Sequence, residues 1–288
     1  MAGTGSPLAS PGATRALLEA YGLATKHSLG QNFLVNNAVI KKIMALAELS
    51  PDGRVLEVGP GIGTLTLALL AEAGRVVSVE MDRELEPVLS AHAAAHPNFS
   101  FIMGDALRVP AEKIAEAAGG APTALVSNLP YNVAATIILA FMQDMPELRR
   151  AVVMVQAEVA DRICAAPGNR TYGAYTAKLA LLGRVTGRFE VGPGNFMPPP
   201  HVNSAVVRID RAPLVAPELV APVSAVIDAA FAQRRKTIRN SMSASGYDKD
   251  ALDAAFAACG IAPTCRAETL APEDFVRLAE ALSCRNQS

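Results

Sequence analysis

The chain has 288 residues, 51% of them hydrophobic and 18% charged, with a formal net charge of -1. This balance excludes wholesale disorder and fibrous architecture, and it leaves any nucleic-acid contact to a local basic patch rather than to the field of the whole molecule. Cys164, Cys259, Cys265 and Cys284 fall at no metal-binding or disulfide-scaffold spacing, so no metal is expected and reduced thiols in a cytoplasmic protein fit the pattern.

Residues 1–13 read as a flexible N-terminal tail, without the basic start and apolar core of a secretory signal. A short helix over about 13–22 leads into KHSLGQNFL (26–34), then into a helix with Val39, Ile40, Ile43, Met44 and Leu46 at helical spacing. Five apolar runs follow: RVLEV (54–58), RVVSVE (75–80), FSFIM (99–103), TALVS (123–127) and AVVMV (151–155). Runs of this kind, apolar on both faces, imply a parallel sheet covered by helices. The stretches 64–72, 82–94, 111–118, 133–143 and 156–164 supply the crossover helices. GRVTGRFEV (183–191) and SAVVRID (204–210) can add an antiparallel edge pair. Helical patterns over 217–231, 234–244, 248–259 and 272–282 then form a small all-helical domain. The expected fold is α/β and Rossmann-like over 14–211, followed by a helical domain over 212–288. Apolar stretches stop well short of the roughly 18 residues of a membrane span, so no membrane partner is expected.

Glu57-Val58-Gly59-Pro60-Gly61-Ile62-Gly63-Thr64 closes the first strand and opens a helix. Glycines let the backbone turn sharply beside a nucleoside, although such a turn can also be purely structural. Thr64 stands where a dinucleotide fingerprint needs its third glycine, which favours S-adenosylmethionine over NAD. Glu80, about twenty residues on, ends the second strand where a carboxylate accepts ribose hydroxyls. Asp105 ends the third and suits an adenine amine, or simply an N-cap. Asn128-Leu129-Pro130-Tyr131 ends the fourth. There the Asn128 amide oxygen and the Leu129 carbonyl can both accept from an aromatic amine and aim its lone pair at an electrophilic methyl, with Pro130 stiffening the turn and Tyr131 offering a ring. As a bare sequence, NLPY is also a type I turn with Pro second.

GQNFL (30–34), EVGPGIGTLT (57–66), VEMD (79–82), GDAL (104–107), NLPYN (128–132), FMPPPHVNS (196–204) and FAQRRKTIRNSM (231–242), in this order, resemble the ribosomal RNA adenine dimethyltransferases of the KsgA/RsmA family. The resemblance covers nearly the whole chain from about residue 26 onward. It implies transfer of four methyl groups from S-adenosylmethionine, with S-adenosylhomocysteine as product and no metal, to two adjacent adenines. Those adenines lie near the 3′ end of 16S rRNA in the 30S subunit or its precursor. It implies cofactor contacts from Asn32, Leu34, Gly59, Gly61, Glu80, Asp105 and Asn128, with Gln31 shaping the site. Tyr131 and Phe196 become the aromatic pair that sandwiches a flipped adenine, Phe196 being alternatively a loop anchor packed on the core. Arg234, Arg235, Lys236 and Arg239 become the phosphate-binding patch, against the plainer reading of a solvated helix face. The competing functions are a 23S rRNA adenine methylase, a non-catalytic 30S assembly factor and an NAD-linked oxidoreductase. Nothing in the sequence demands more than a monomer.

Overall fold

The computed structural model describes residues 4–24 and 31–283. The expected tail is overturned within them: the backbone N–H of Thr4 donates to Glu72 at 2.7 Å, and Ser6 exchanges hydrogen bonds with the Asn37 amide at 2.7 and 3.0 Å. Ser6 and Ala9 are buried. Glycine and serine in this segment allow close packing rather than disorder; a Cβ on Gly5 would lie 2.7 Å from Asn37 Oδ1. Ser10 then caps helix α1 (Pro11–Ala20) by accepting from the Ala13 N–H.

After β1 (Phe33–Leu34) and α2 (Asn37–Ala47), the chain alternates β2 (Arg54–Val58), α3 (Thr64–Leu70), β3 (Arg75–Glu80), α4 (Glu86–Ala95), β4 (Phe99–Met103), α5 (Ala111–Ala118), β5 (Ala124–Asn128), α6 (Ala134–Asp144), β6 (Arg150–Gln156) and α7 (Ala157–Ile163). Then come α8 (Ala174–Ala180), β7 (Gly183–Val191), β8 (Phe196–Met197) and β9 (Ser204–Arg211). The main sheet runs β4-β3-β2-β5-β6-β9-β7, parallel from β4 to β6, with β9 antiparallel to β6. This is the expected Rossmann-like α/β sheet. Its central strands are apolar on both faces because helices cover both, and each enclosed Val, Leu or Ile contributes about 1.5–3 kcal/mol.

The winding reverses between β2 and β5, and these two strands pair only through Val55↔Ala124 and Leu56↔Leu125. Beyond that they part, and the Val58 N–H is satisfied instead by Ser127 Oγ at 2.8 Å. The parted carboxyl ends form the crevice in which open α/β sheets bind ligands.

By internal contacts the chain forms two compact units. The first runs to Ala160 and resumes over Val185–Arg211; the second takes Asp161–Arg184 and continues from Ala212. The helical unit therefore includes α8, which the sequence places in the α/β part, together with α9 (Pro217–Phe231), α10 (Ile238–Ala244), α11 (Lys249–Cys259) and α12 (Pro272–Ser283). Tyr172 meets the half-buried Phe231 edge-on and Phe231 meets Phe275 at a tilt, with ring centroids 6.0 and 5.8 Å apart. Among the described residues, no helix is long and apolar enough to cross a membrane.

Candidate active site

The first β-to-α turn supplies the floor of the site. Gly59, Gly61 and Gly63 all adopt positive φ, at 68°, 60° and 87°, a region that disfavours side chains. Two of them also have no room for one: a Cβ on Gly61 would lie 2.9 Å from the Phe33 ring, and on Gly63 2.8 Å from the His92 ring. His92 lies in the last turn of α4. Its Nε2 lies 3.0 Å from the Ile62 carbonyl and braces the turn from α4. Thr64 begins α3, buried, with an Oγ1 that has no hydrogen-bond partner among the described residues.

Glu80 ends β3 with its carboxylate already engaged. Oε2 accepts from the Gly61 N–H at 3.1 Å, and Oε1 from the N–H groups of Met81 and Asp82 at 2.8 and 2.9 Å. A carboxylate has about four acceptor positions, so one remains rather than the two that a pair of ribose hydroxyls needs. Burial raises the Glu80 pKa; the three backbone donations lower it, and the nearby Asp82 charge raises it again. Glu57, at the end of β2, is fully enclosed, with Oε2 accepting from Thr66 Oγ1 at 2.6 Å and Ser78 Oγ at 2.9 Å. Asp105 stands in the wall of the site, where Oδ1 accepts from the Leu107 N–H at 3.0 Å and Oδ2 lies 3.4 Å from Arg108 Nε.

At the end of β5, Asn128 Nδ2 donates to the Asn32 carbonyl at 3.3 Å. That bond uses one amide hydrogen and fixes the orientation of the group, and Oδ1 accepts no hydrogen bond among the described residues. The Leu129 N–H donates to the Met154 carbonyl at 3.1 Å, while its own carbonyl accepts no hydrogen bond among the described residues. The bonded turn runs from the Pro130 carbonyl to the Val133 N–H at 3.2 Å, so proline starts the turn instead of standing second. Tyr131 projects from this turn and its hydroxyl meets Ser204 Oγ of β9 at 2.7 Å. Gln31 donates to Asp82 Oδ2 at 2.7 Å.

Phe196 is not a cleft wall. It pairs with Leu34 in the β1–β8 ladder, is 4% exposed, and packs in the main core with Val39, Ile43 and Leu69. Neighbouring residues on a strand face opposite ways, so the other rung, Phe33↔Met197, is turned toward Ile62 and Leu85, and Phe33 is the aromatic that reaches the glycine turn.

These residues enclose a cavity of about 290 Å³, lined among others by Gln31, Asn32, Leu34, Gly59, Gly61 and Thr64. Its wall carries Glu57, Glu80, Asp82 and Asp105 and, among the described residues, no Lys or Arg. With the Gly61 N–H spent on Glu80, the cleft repels an anionic pyrophosphate and suits a cationic nucleoside. Fold and cleft together are those of a Rossmann-like methyltransferase.

A family profile described as "Ribosomal RNA adenine dimethylase" matches residues 22–283. The chain belongs to that family. It is 41% identical to the ribosomal RNA small subunit methyltransferase A of Streptomyces coelicolor, over 96% of this chain and 98% of that one. It is 42% identical to the protein of the same name from Thermobifida fusca, over 95% and 96%. Among solved structures, a dimethyladenosine transferase from Plasmodium falciparum shares the fold with a TM-score of 0.75 at 22% identity, covering 88% of this chain and 98% of that one. The 23S rRNA methyltransferase ErmE superposes with a TM-score of 0.67 at 27% identity, over 88% and 100%.

The basic segment differs from its linear appearance. Arg239 makes a two-pronged pair with Asp253 at 2.5 and 2.6 Å. Arg234 lies 3.3 Å from Glu268 and also donates to the Arg170 carbonyl. Both brace the helical unit, which leaves Arg235 and Lys236 as the exposed cations of the four without an acidic partner among the described residues.

Proposed function

We propose that this rRNA adenine dimethylase transfers methyl groups from S-adenosylmethionine to the N6 amines of two adjacent adenines in the 3′-terminal hairpin loop of 16S rRNA. It acts as a cytoplasmic monomer on the 30S particle or its precursor. The observation that carries the reading is the hydrogen bond from the Asn128 amide nitrogen to the Asn32 carbonyl, which fixes the orientation of the group and leaves Oδ1 to accept. The small-subunit name of the full-length relatives supports 16S over 23S rRNA as substrate.

The acidic cleft fits the cofactor, whose bound form supplies an electrophilic methyl on a cationic sulfur. Glu80 keeps one acceptor position for a ribose hydroxyl, and Asp82 and Asp105 favour the positive charge. In the first transfer Asn128 Oδ1 and the Leu129 carbonyl accept from the two amine hydrogens, and in the second one of them accepts from the hydrogen that remains, drawing the nitrogen lone pair out of conjugation and toward the methyl. The same oxygens stabilise positive charge as it develops on nitrogen. Each transfer leaves the methylated nitrogen acidic, and it releases one proton to solvent, so no side-chain base is required. Tyr131 supplies the stacking face, worth about 1–3 kcal/mol per base. Arg235 and Lys236 contact phosphates.

The test is transfer of labelled methyl from S-adenosylmethionine to purified unmethylated 30S subunits, with 50S subunits and bare 16S rRNA in parallel. Dimethyladenine in the 3′-terminal 16S hairpin, seen only with 30S, is expected. Label on 23S rRNA would move the assignment to the other branch, and no label with retained 30S binding would make the chain an assembly factor. Asn128→Ala, which empties no core, is expected to nearly abolish transfer in a folded protein.

A further inference from the structure

Two motifs of this chain that are 73 residues apart meet at one hydrogen bond. Tyr131 Oη, from the turn after β5, lies 2.7 Å from Ser204 Oγ, at the first residue of β9. Ser204 is completely buried and stands opposite Gln156 in the β6–β9 ladder. Its hydroxyl is thus fixed to the sheet frame, while the Tyr131 backbone is fixed by the Pro130-to-Val133 turn. A ring needed only for stacking would serve equally well as phenylalanine, without a hydroxyl to desolvate. Burial pushes the Tyr131 pKa above its ordinary value, against a smaller opposing effect of Ser204, so the phenol stays protonated and the pair intact across neutral pH.

We propose that Ser204 is a positioning residue for methyl transfer, pinning the far end of the Tyr131 ring so that a stacked adenine presents its amine to Asn128 Oδ1. The inference rests on the adenine methyltransferase reading above. A released ring still offers a face to the base, but the base can tilt and the amine leaves its line toward the acceptor. The loss therefore falls on turnover rather than on substrate affinity. Since either partner's removal frees the ring, the two losses are one and the same.

The test compares wild type, Ser204→Ala, Tyr131→Phe and the double variant in steady-state and single-turnover methylation of 30S subunits, with S-adenosylmethionine affinity measured by calorimetry. Each single variant is expected to lose about 10-fold in kcat, with KM and cofactor Kd nearly unchanged and the double variant no worse than either single. In protein labelled with 3-fluorotyrosine, the 19F signal absent from Tyr131→Phe is expected to shift in Ser204→Ala, a readout that needs no RNA. Wild-type kcat in Ser204→Ala, additive losses in the double variant, or an unmoved Tyr131 signal would each overturn the positioning role. A wild-type protein that methylates no RNA at all would overturn the methyltransferase reading and this role together, whereas a failure confined to the variants leaves that reading standing.

Discussion

The Glu57 carboxyl is pushed up to about 7, because burial outweighs the hydroxyl donations of Thr66 and Ser78 and the Glu80 charge adds to the rise. In the unfolded chain it titrates near its ordinary 4.5. A raised carboxyl binds its proton more tightly when folded. Its contribution to stability is therefore complete below the unfolded value and lost as pH climbs through the folded one. At about 1.4 kcal/mol per pKa unit, the loss reaches about 3 kcal/mol above pH 7. Glu57→Gln removes the charge and keeps an oxygen for the two hydroxyls. Urea denaturation is expected to show the variant near wild type at about pH 4.5 and more stable by about 3 kcal/mol at about pH 8. An offset that does not change with pH would contradict this account. Glu57 was visible in the sequence only as the first letter of a glycine motif. Glu80 and Asn128 were legible as candidate site residues because each is a polar side chain at the end of an apolar strand, and both line the cavity.

At the scale of elements, the long runs were legible because sheet burial leaves a continuous apolar signature. Strands β2, β3, β4 and β7 and helices α5 and α9 fall on the residues that the sequence indicates. The two-residue strands β1 and β8 carry no periodicity, so neither their pairing nor the inward turn of Phe196 could be read. The stretch 82–94 also splits, because Asp82 caps a short 3-10 turn over Arg83–Leu85 before α4 begins. α10 starts four residues later than its pattern suggests, where Thr237 accepts from the Asn240 N–H and ends a run of turns. One proline contradicts its element: Pro222 sits inside α9, exposed, with no N–H to offer the preceding turn, whereas Pro217 occupies the tolerated first position. Pro222→Ala is expected to raise stability by up to about 3 kcal/mol, and Pro217→Ala to leave it nearly unchanged, in thermal or urea unfolding. Lower stability in Pro222→Ala would mean that the ring's stiffening of the unfolded chain outweighs the missing hydrogen bond.

For the molecule as a whole, the sequence marks a boundary near residue 211 but not the excursion of Asp161–Arg184 into the helical unit. That excursion is held by contacts distant in sequence, such as α8 on α9 and the Lys178–Asp228 pair at 2.8 Å. Charge has the same character. With 26 basic and 27 acidic residues, RNA affinity depends on which cations remain unneutralised in three dimensions, and a linear run of four basic residues overstates the patch. Each cation that displaces a counterion from single-stranded nucleic acid contributes about 0.7 to the slope of log affinity against log salt. Arg235→Ala with Lys236→Ala is therefore expected to weaken 30S binding and flatten that slope by about 1 to 1.5, with unfolding temperature nearly unchanged. Arg239→Ala, which strips Asp253 of its partner, is expected to do the reverse and lower the unfolding temperature while leaving the slope intact. Filter binding across a salt series, paired with thermal melts of the same proteins, separates the two. Equal slope changes in both variants would show that the Arg239–Asp253 pair opens when RNA binds, and that the patch comprises more than its exposed members.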